Sequence, residues 1–329
     1  MSVASSPSVG VFGVPYDALL WVLERWSDLL SVLGEQFGIE MLRYGFMHRA
    51  FLVGILIAVM APLIGTFLVH RQLALIGDAL AHTAFAGVAV GLFVNSVFGT
   101  GISPYLSAVV IAMLAALAIE LISEVTDAYN DVSMAIVLST GFALGAVLIS
   151  LNAGGLAVGI NQYLFGNLST VTNENAVLLL TLFAVIALVV GVTYKQLLYV
   201  TFDETAARVA GINVPWYNRV MSMLTAMVVV GAMQIMGVIL VAAMLVVPVA
   251  GAAQIARSFR EALLASVILA ELAVILGITL SFQYATTAGG TIVLVAVAIY
   301  IAAVLFGKVQ SSEDPVTETG AVVDEQSAD

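Results

Sequence analysis

Cysteine is absent from the 329 residues. Neither a disulfide framework nor a thiolate metal centre can be built, so any bound metal must meet oxygen, nitrogen or thioether sulfur. Charge is also scarce: Asp, Glu, Lys and Arg make up 9% of the chain against 62% hydrophobic residues, a balance far from that of soluble domains. Basic residues are scarcest, eight Arg and two Lys against 21 acidic residues, for a net charge of -11. That excludes a basic surface for nucleic acid. No Gly-x-x-x-x-Gly-Lys phosphate loop, His-Glu-x-x-His helix or Gly-x-Ser-x-Gly elbow occurs. The chain is therefore expected to be no enzyme, with no soluble catalytic domain and no capacity to hydrolyse ATP by itself. Residues 1–15 lack the charged start and small-residue cleavage site of a signal peptide and are expected to be disordered.

What is present is a succession of apolar runs. Runs of about 20 apolar residues match the thickness of a bilayer's hydrocarbon core, and they recur from Ala50 to Gly307 with short polar gaps. The fold class implied is all-α, a polytopic membrane bundle in one transmembrane domain, residues 50–307. Nine spans are expected: 50–69, 72–94, 105–122, 132–151, 176–194, 220–235, 238–256, 262–281 and 288–307. Ahead of them, residues 16–49 mix Leu, Trp, Val and Phe with charges at helical spacing. This reads as an amphipathic helix lying along the interface, against the alternative of a helix touching its own bundle. Residues 308–329 hold Glu313, Asp314, Glu318, Asp324, Glu325 and Asp329 with no basic residue after Lys308, and read as a disordered acidic tail.

The basic residues set the expected orientation. Arg71, Lys195, Arg208, Arg219, Arg257, Arg260 and Lys308 fall on one side if the first span runs inward, which places them and the C-terminus in the cytoplasm. Arg25, Arg43 and Arg49 then lie outside with the N-terminus. The longest inner connection, "KQLLYVTFDETAARVAGINVPWYNR" at 195–219, is long for this chain and so a candidate for function. Within it Asp203 and Glu204 precede a short helix around Ala207 that closes at Gly211, before Pro215. It reads either as a plain connector or as a docking helix for a cytoplasmic partner.

Three ionisable residues stand well inside the spans: Asp78, His82 and Glu271. A charged side chain at mid-membrane costs about 2.5–3.5 kcal/mol on insertion scales, so such residues face protein or a wet cavity. Asp78 and His82, in "LIGDALAHTAFAG", are four apart, so both side chains reach one point on a helix face. Counted at about 1.5 Å per residue from Gln72, they lie about 9 and 15 Å into the span, near the midplane. Carboxylate oxygen with imidazole nitrogen suits Mn, Fe or Zn, and two donors make an incomplete site that can release its ion. The other readings are a pair hydrogen-bonded to each other that holds helices together, and a proton relay. Glu271 could complete a cation site, or stand protonated and hydrogen-bonded to a neighbour. The absence of a polar partner at its helical spacing favours the second reading.

These residues resemble a known family, the permease subunits of zinc, manganese and iron ABC importers. Its Gly-Asp-x-Leu-(Ser or Ala)-His core matches Gly77, Asp78, Ala79, Leu80, Ala81 and His82. "QYLFGNLSTVT" at 162–172 and "GVILVAAMLVVPVAGAAQIA" at 237–256 match two further elements. The likeness spans about 46–307. It implies a homodimer of type II ABC importer permeases around one pathway, with cytoplasmic ATPase subunits below and an extracytoplasmic metal-binding protein outside. It implies no permanently bound cofactor, only a transported divalent ion, Mn, Zn or Fe, met by Asp78 and His82. The loop with Asp203, Glu204, Ala207 and Gly211 is similar to the family's coupling region. Two departures remove acid from the outer face: Asn167 stands where the family has Asp, and "SFQYATTAGG" lacks the family's acid. A proton- or sodium-coupled secondary metal transporter is the alternative function, since it would use the same buried pair.

Overall fold

The computed structural model describes residues 16–126, 130–151, 163–168 and 171–313. Among them the chain is helical throughout, with no strand. In order come α1 (Tyr16–Phe37), a 3-10 turn (Glu40–Arg43), α2 (Gly45–His70), α3 (Ile76–Phe98), α4 (Pro104–Thr126) and α5 (Asn130–Leu151). Then follow α6 (Asn173–Phe202), α7 (Glu204–Val209), α8 (Val214–Met236), α9 (Val241–Ala252), α10 (Phe259–Tyr284) and α11 (Ala288–Glu313). The expected disordered segment 1–15 and residues 314–329 of the acidic tail lie outside the described residues. Residues 308–313 of that tail continue α11.

The expected count of nine spans is not confirmed. Among the described residues seven helices, α2 to α6, α10 and α11, are long and apolar enough to cross a membrane. The expected sixth span falls on α8, 23 residues packed into the middle of the bundle. The seventh falls on α9, only 12 residues long, about 18 Å of regular helix and short of a hydrocarbon core. Its flanking turns extend it. Gly289, at the start of α11, packs against Met236, and Gly307, near the other end, against Gln254.

Two boundaries differ for local reasons. The amphipathic segment 16–49 divides, because the chain turns at Glu40–Arg43 and residues 45–49 already belong to α2. The long connection 195–219 shrinks to 203–213, because α6 runs on to Phe202 and α8 starts at Val214 with Pro215 in its first turn. Proline without an N–H fits there, where that donor would lack a helical partner in any case. Asp203 caps α7 by accepting from Ala206 N at 2.8 Å, Asn213 caps α8, and Ser258 caps α10.

Helix α1 is fastened to the bundle, packing on α2 and α6. Trp26 donates to the His48 carbonyl at 2.8 Å, and Ser27 Oγ meets His48 Nδ1 at 2.7 Å. His48 Nε2 lies 2.6 Å from the Leu42 carbonyl. A carbonyl only accepts, so Nε2 carries the proton and the neutral ring's Nδ1 accepts from Ser27.

Close helix contacts are made by small residues, as expected where lipid gives helices no hydrophobic reason to associate. A side chain at Gly87 would place Cβ 2.6 Å from Ala108 Cα, and one at Gly91 would meet Ser107 and Pro104. These contacts set α3 and α4 antiparallel. Gly141 packs on Thr83 and Gly145 on Phe85, which sets α5 parallel to α3. Both pairs have the Gly-x-x-x-Gly spacing. Gly65 of α2 lies so close to the Leu245 carbonyl of α9 that no side chain fits between them.

The consequence is testable by unfolding the purified protein in detergent. Gly87→Ala should destabilise by about 1–3 kcal/mol through overpacking. Gly191→Ala, in α6 with nothing within 4 Å of a new Cβ, should be neutral or stabilise by up to about 1 kcal/mol from helix propensity. Equal midpoints for the two variants would contradict the close packing of α3 on α4.

Candidate functional site

The turn before α3 decides where the polar pair sits. Helix α2 stops at His70, Arg71 caps it by donating from its backbone to the Phe67 and Val69 carbonyls, and Gln72 adopts a left-handed φ of 58°. Leu73 N then bonds back to Leu68 O at 2.9 Å, and Ile76 N to Leu73 O at 3.1 Å. Helix α3 therefore begins at Ile76, not at Gln72, and Asp78 falls in its first turn. The pair is nevertheless deep. With Gly87 opposite Ala108 in antiparallel α4, counting nine residues back from 87 to 78 and nine on from 108 sets Asp78 level with about residue 117 at equal rise per residue. That is close to the middle of Pro104–Thr126.

Asp78 and His82 project from one side of α3, 42% and 23% exposed. Asp78 Oδ1 and His82 Nε2 are 3.7 Å apart, beyond hydrogen-bond reach, so the pair is not bonded to itself. Two donors about 2.1 Å from one tetrahedral ion stand about 3.4 Å apart, close to the observed gap. The His82 ring meets the Phe142 ring of α5 edge-on at 5.4 Å between centroids. Its Nδ1 is buried without a hydrogen-bond partner. The other histidines are engaged: both ring nitrogens of His48 are bonded, and His70 donates from Nδ1 to the Thr66 carbonyl at 2.7 Å. Beside the pair, α5 exposes a stripe of Ala135, Ser139, Phe142 and Ala146.

Glu271 does not join them. It lies halfway along α10, half-buried next to exposed Ile268, Leu272 and Ile275, and α9 packs between α10 and α3. Among the described residues it has no hydrogen bond, and none of them supplies the expected bonded neighbour.

At the α7 end the structure adds a network that span-by-span reading passed over. Arg71, its side chain 8% exposed, donates to Glu204 at 2.9 Å and to Asn218 at 2.8 Å. Glu120 of α4 accepts from Ser222 of α8 at 2.5 Å, and one turn on Glu124 takes both hydrogen bonds of Arg219, at 2.9 and 2.6 Å. The signal was available: Glu120 and Glu124 share one face of a helix at i, i+4, as Arg219 and Ser222 do at i, i+3. Glu120 was passed over because it lies near the end of its apolar run. Ala207 of α7 is fully buried, and Gly211 closes the segment at φ 81°.

At the opposite end, the two acid-lacking departures lie together. Asn167 and the turn Ala285–Ala288 line one cavity of about 410 Å³ with Phe46 and Ser281. Its lining carries no charged side chain.

Together the fold and the pair define a multi-span helical membrane protein with a polar site inside an apolar bundle. Residues 43–307 match the ABC 3 transport family. The chain belongs to that family, whose members are permeases of transport systems. It is 32% identical over 259 residues to a "Probable metal transport system membrane protein" of Treponema pallidum, covering 79% of this chain and 94% of that one. It is 31% identical over 258 residues to the "Manganese import system permease protein ScaB" of Streptococcus gordonii, covering 78% and 90%. The solved PsaBC complex of Streptococcus pneumoniae matches with a TM-score of 0.72 and 28% identity over 85% of this chain and 98% of the other. An inward-facing putative metal-chelate type ABC transporter shares the fold, with a TM-score of 0.61 at 16% identity over 90% and 99%.

Proposed function

We propose that this permease is the membrane subunit of an ATP-driven importer of divalent transition-metal ions, with manganese the first candidate and zinc and iron compatible. The observation that carries the proposal is the Asp78–His82 pair: an oxygen and a nitrogen donor 3.7 Å apart, neither bonded to the other, at mid-depth in the bundle. The manganese systems named among the relatives support the choice of ion, and Asp with neutral His is a fitting donor set.

The pair cannot stand exposed to acyl chains without cost, so a second copy of the chain covers it. In this homodimer α3 and α5 of each protomer face a two-fold axis, and two Asp78–His82 pairs supply four donors, the number a tetrahedral ion takes. Weak holding by a set assembled from two chains lets the ion leave again, as conduction requires. The gathering of Arg71, Arg208, Arg219, Arg257 and Arg260 near the α7 end supports a cytoplasmic position for it. There α7, with Asp203, Glu204, Ala207 and Gly211, docks onto an ATPase subunit, and the binding protein delivers the ion at the α1 end. Alternating access follows as rocking of helix groups about the pair. A histidine ligates a metal ion only through an unprotonated ring nitrogen.

Asp78→Asn keeps the side-chain shape and removes the charge. It should abolish ATP-dependent Mn²⁺ uptake in proteoliposomes while the permease still assembles with its ATPase, and His82→Ala should weaken Mn²⁺ binding by about tenfold or more. Uptake at the unmodified rate in Asp78→Asn would refute the site, and uptake without nucleotide would favour secondary transport.

With no native cysteine to interfere, Ser139→Cys on α5 should be joined into dimers by a short bifunctional thiol reagent in native membranes. Leu188→Cys, on the exposed face of α6, should not. Cross-linking confined to Leu188→Cys would place the dimer face elsewhere.

A further inference from the structure

We propose that Arg71 is a positioning residue that couples the docking helix α7 to the Asp78–His82 site. The inference rests on the proposed function and assigns a route by which force at α7 reaches the metal pair. Arg71 holds Glu204, the first residue of α7, at 2.9 Å and Asn218, in the first turns of α8, at 2.8 Å. Both bonds leave one guanidinium nitrogen, Nη2, whose two N–H donors are held in the plane of the group, whereas a lysine ammonium rotates freely. The Arg71 side chain is 8% exposed and that of Glu204 44%, so the pair is half-buried and screened less than one standing free at the surface.

Its backbone is the other half of the linkage. Arg71 is the C-cap of α2, and only residues 72–75 separate it from α3. That turn is stiff: Gln72 N bonds to Val69 O at 3.1 Å, Leu73 N to Leu68 O at 2.9 Å, Ile76 N to Leu73 O and Ala79 N to Leu75 O, both at 3.1 Å. A displacement of the guanidinium therefore arrives at the first turn of α3, where Asp78 stands. Beside the linkage lies a cavity of about 210 Å³, lined among others by Arg71, Leu73, Ile76, Glu120, Glu204 and Asn218. It borders both α7 and the start of α3, and leaves room for one to shift against the other. The contact between Glu124 and Arg219 ties α4 to α8 alongside. It makes no link to the turn at 72–75, which Arg71 adjoins and ties to α7 and α8 through Glu204 and Asn218.

The test measures Mn²⁺ uptake and ATP hydrolysis together in proteoliposomes holding the permease with its ATPase. Arg71→Ala should retain ATP hydrolysis and Mn²⁺ binding while uptake per ATP falls about tenfold, the size of a typical coupling between sites. Arg71→Lys should fall between, and exchanging the charges, Arg71→Glu with Glu204→Arg, should recover uptake per ATP above either single change. Should Arg71→Ala fail to fold, Glu204→Gln, which leaves Arg71 in place, must show the same loss of uptake per ATP in complexes that retain their ATPase at unmodified stoichiometry. Unchanged uptake per ATP in these variants would overturn the proposal. So would uptake, hydrolysis and thermal midpoint falling in parallel, the mark of a merely structural contact. Uptake by the unmodified complex that needs no ATP would instead sink the importer reading itself, and the same assay reads that before any variant is made.

Discussion

Hydrocarbon offers no hydrogen bonds, so every polar atom carried into it must be answered by the protein, an ion or trapped water. Most of this chain answers within itself. Thr66, Thr181, Thr193 and Thr225 donate to carbonyls four residues back in their own helices, and Arg71, Glu120 and Arg219 are held by partners on other helices. His48 and His70 bond to backbone oxygens. Among the described residues Glu271, Ser133 Oγ and Gln196 Oε1 lack a partner singly, whereas Asp78 and His82 stand together, partly exposed on one side of α3 and not bonded to each other. In the proposed importer that paired shortfall is what a second protomer and the ion make good.

The small residues around α3 serve the same requirement. Gly87 and Gly91 bring α4 against its backbone, Gly141 and Gly145 bring α5, and Gly77 admits Leu245 and Ala242 of α9. With neighbours this close on several sides, α3 has little freedom to bend or rotate by itself, because packed interiors resist small deformations. The pair is thereby fixed in direction as well as depth.

Much of this was legible in the sequence. Apolar runs gave the helices, since every expected span falls on one, and Asp78 and His82 stood out because charge is so rare in those runs. What stayed hidden depends on contacts between distant segments. Hydropathy cannot tell a full crossing from α9, whose 12 residues are as apolar as any span. Nor could it show that α6 continues to Phe202, because Tyr194, Lys195, Gln196 and Tyr199 lower the local hydropathy without interrupting the helix. The depth of the pair came out close to the expected one by a different route. Counting assumed a helix from Gln72, but the helix starts at Ile76, and its start is recessed because the turn at 71–75 bonds back onto α2. Pairing of Arg71 with Glu204, 133 residues away, has no local signature at all.

Backbone-to-backbone contact also decides which parts can move against which. Helices α3 and α4 meet backbone to backbone at Gly87, and α5 lies close on α3 where Gly141 meets Thr83 and Gly145 the Phe85 ring, so the three are expected to shift as one body in a rocking motion. On the far side, α10 and α11 pack closely where Gly277 meets Ile292, and α9 joins them. Between the two groups stands α8, packed against α3 and α4 on one side and against α9 and α11 on the other, while α2 packs against α6, α8, α9 and α10. Polar side chains reach from these central helices toward the α7 end, Arg71 from the end of α2 and Arg219 and Ser222 from α8, onto α7 and α4. An ion held at Asp78 and His82 lies on the α3 group, while α7 joins α6 to α8 in the chain. Movement of α7 can thus reach the ion across these polar contacts, through the short turn they anchor, or through the packing of α8 on α3. In the proposed transport cycle the charged network at the α7 end is accordingly the place where stability and coupling make competing demands on the same few side chains.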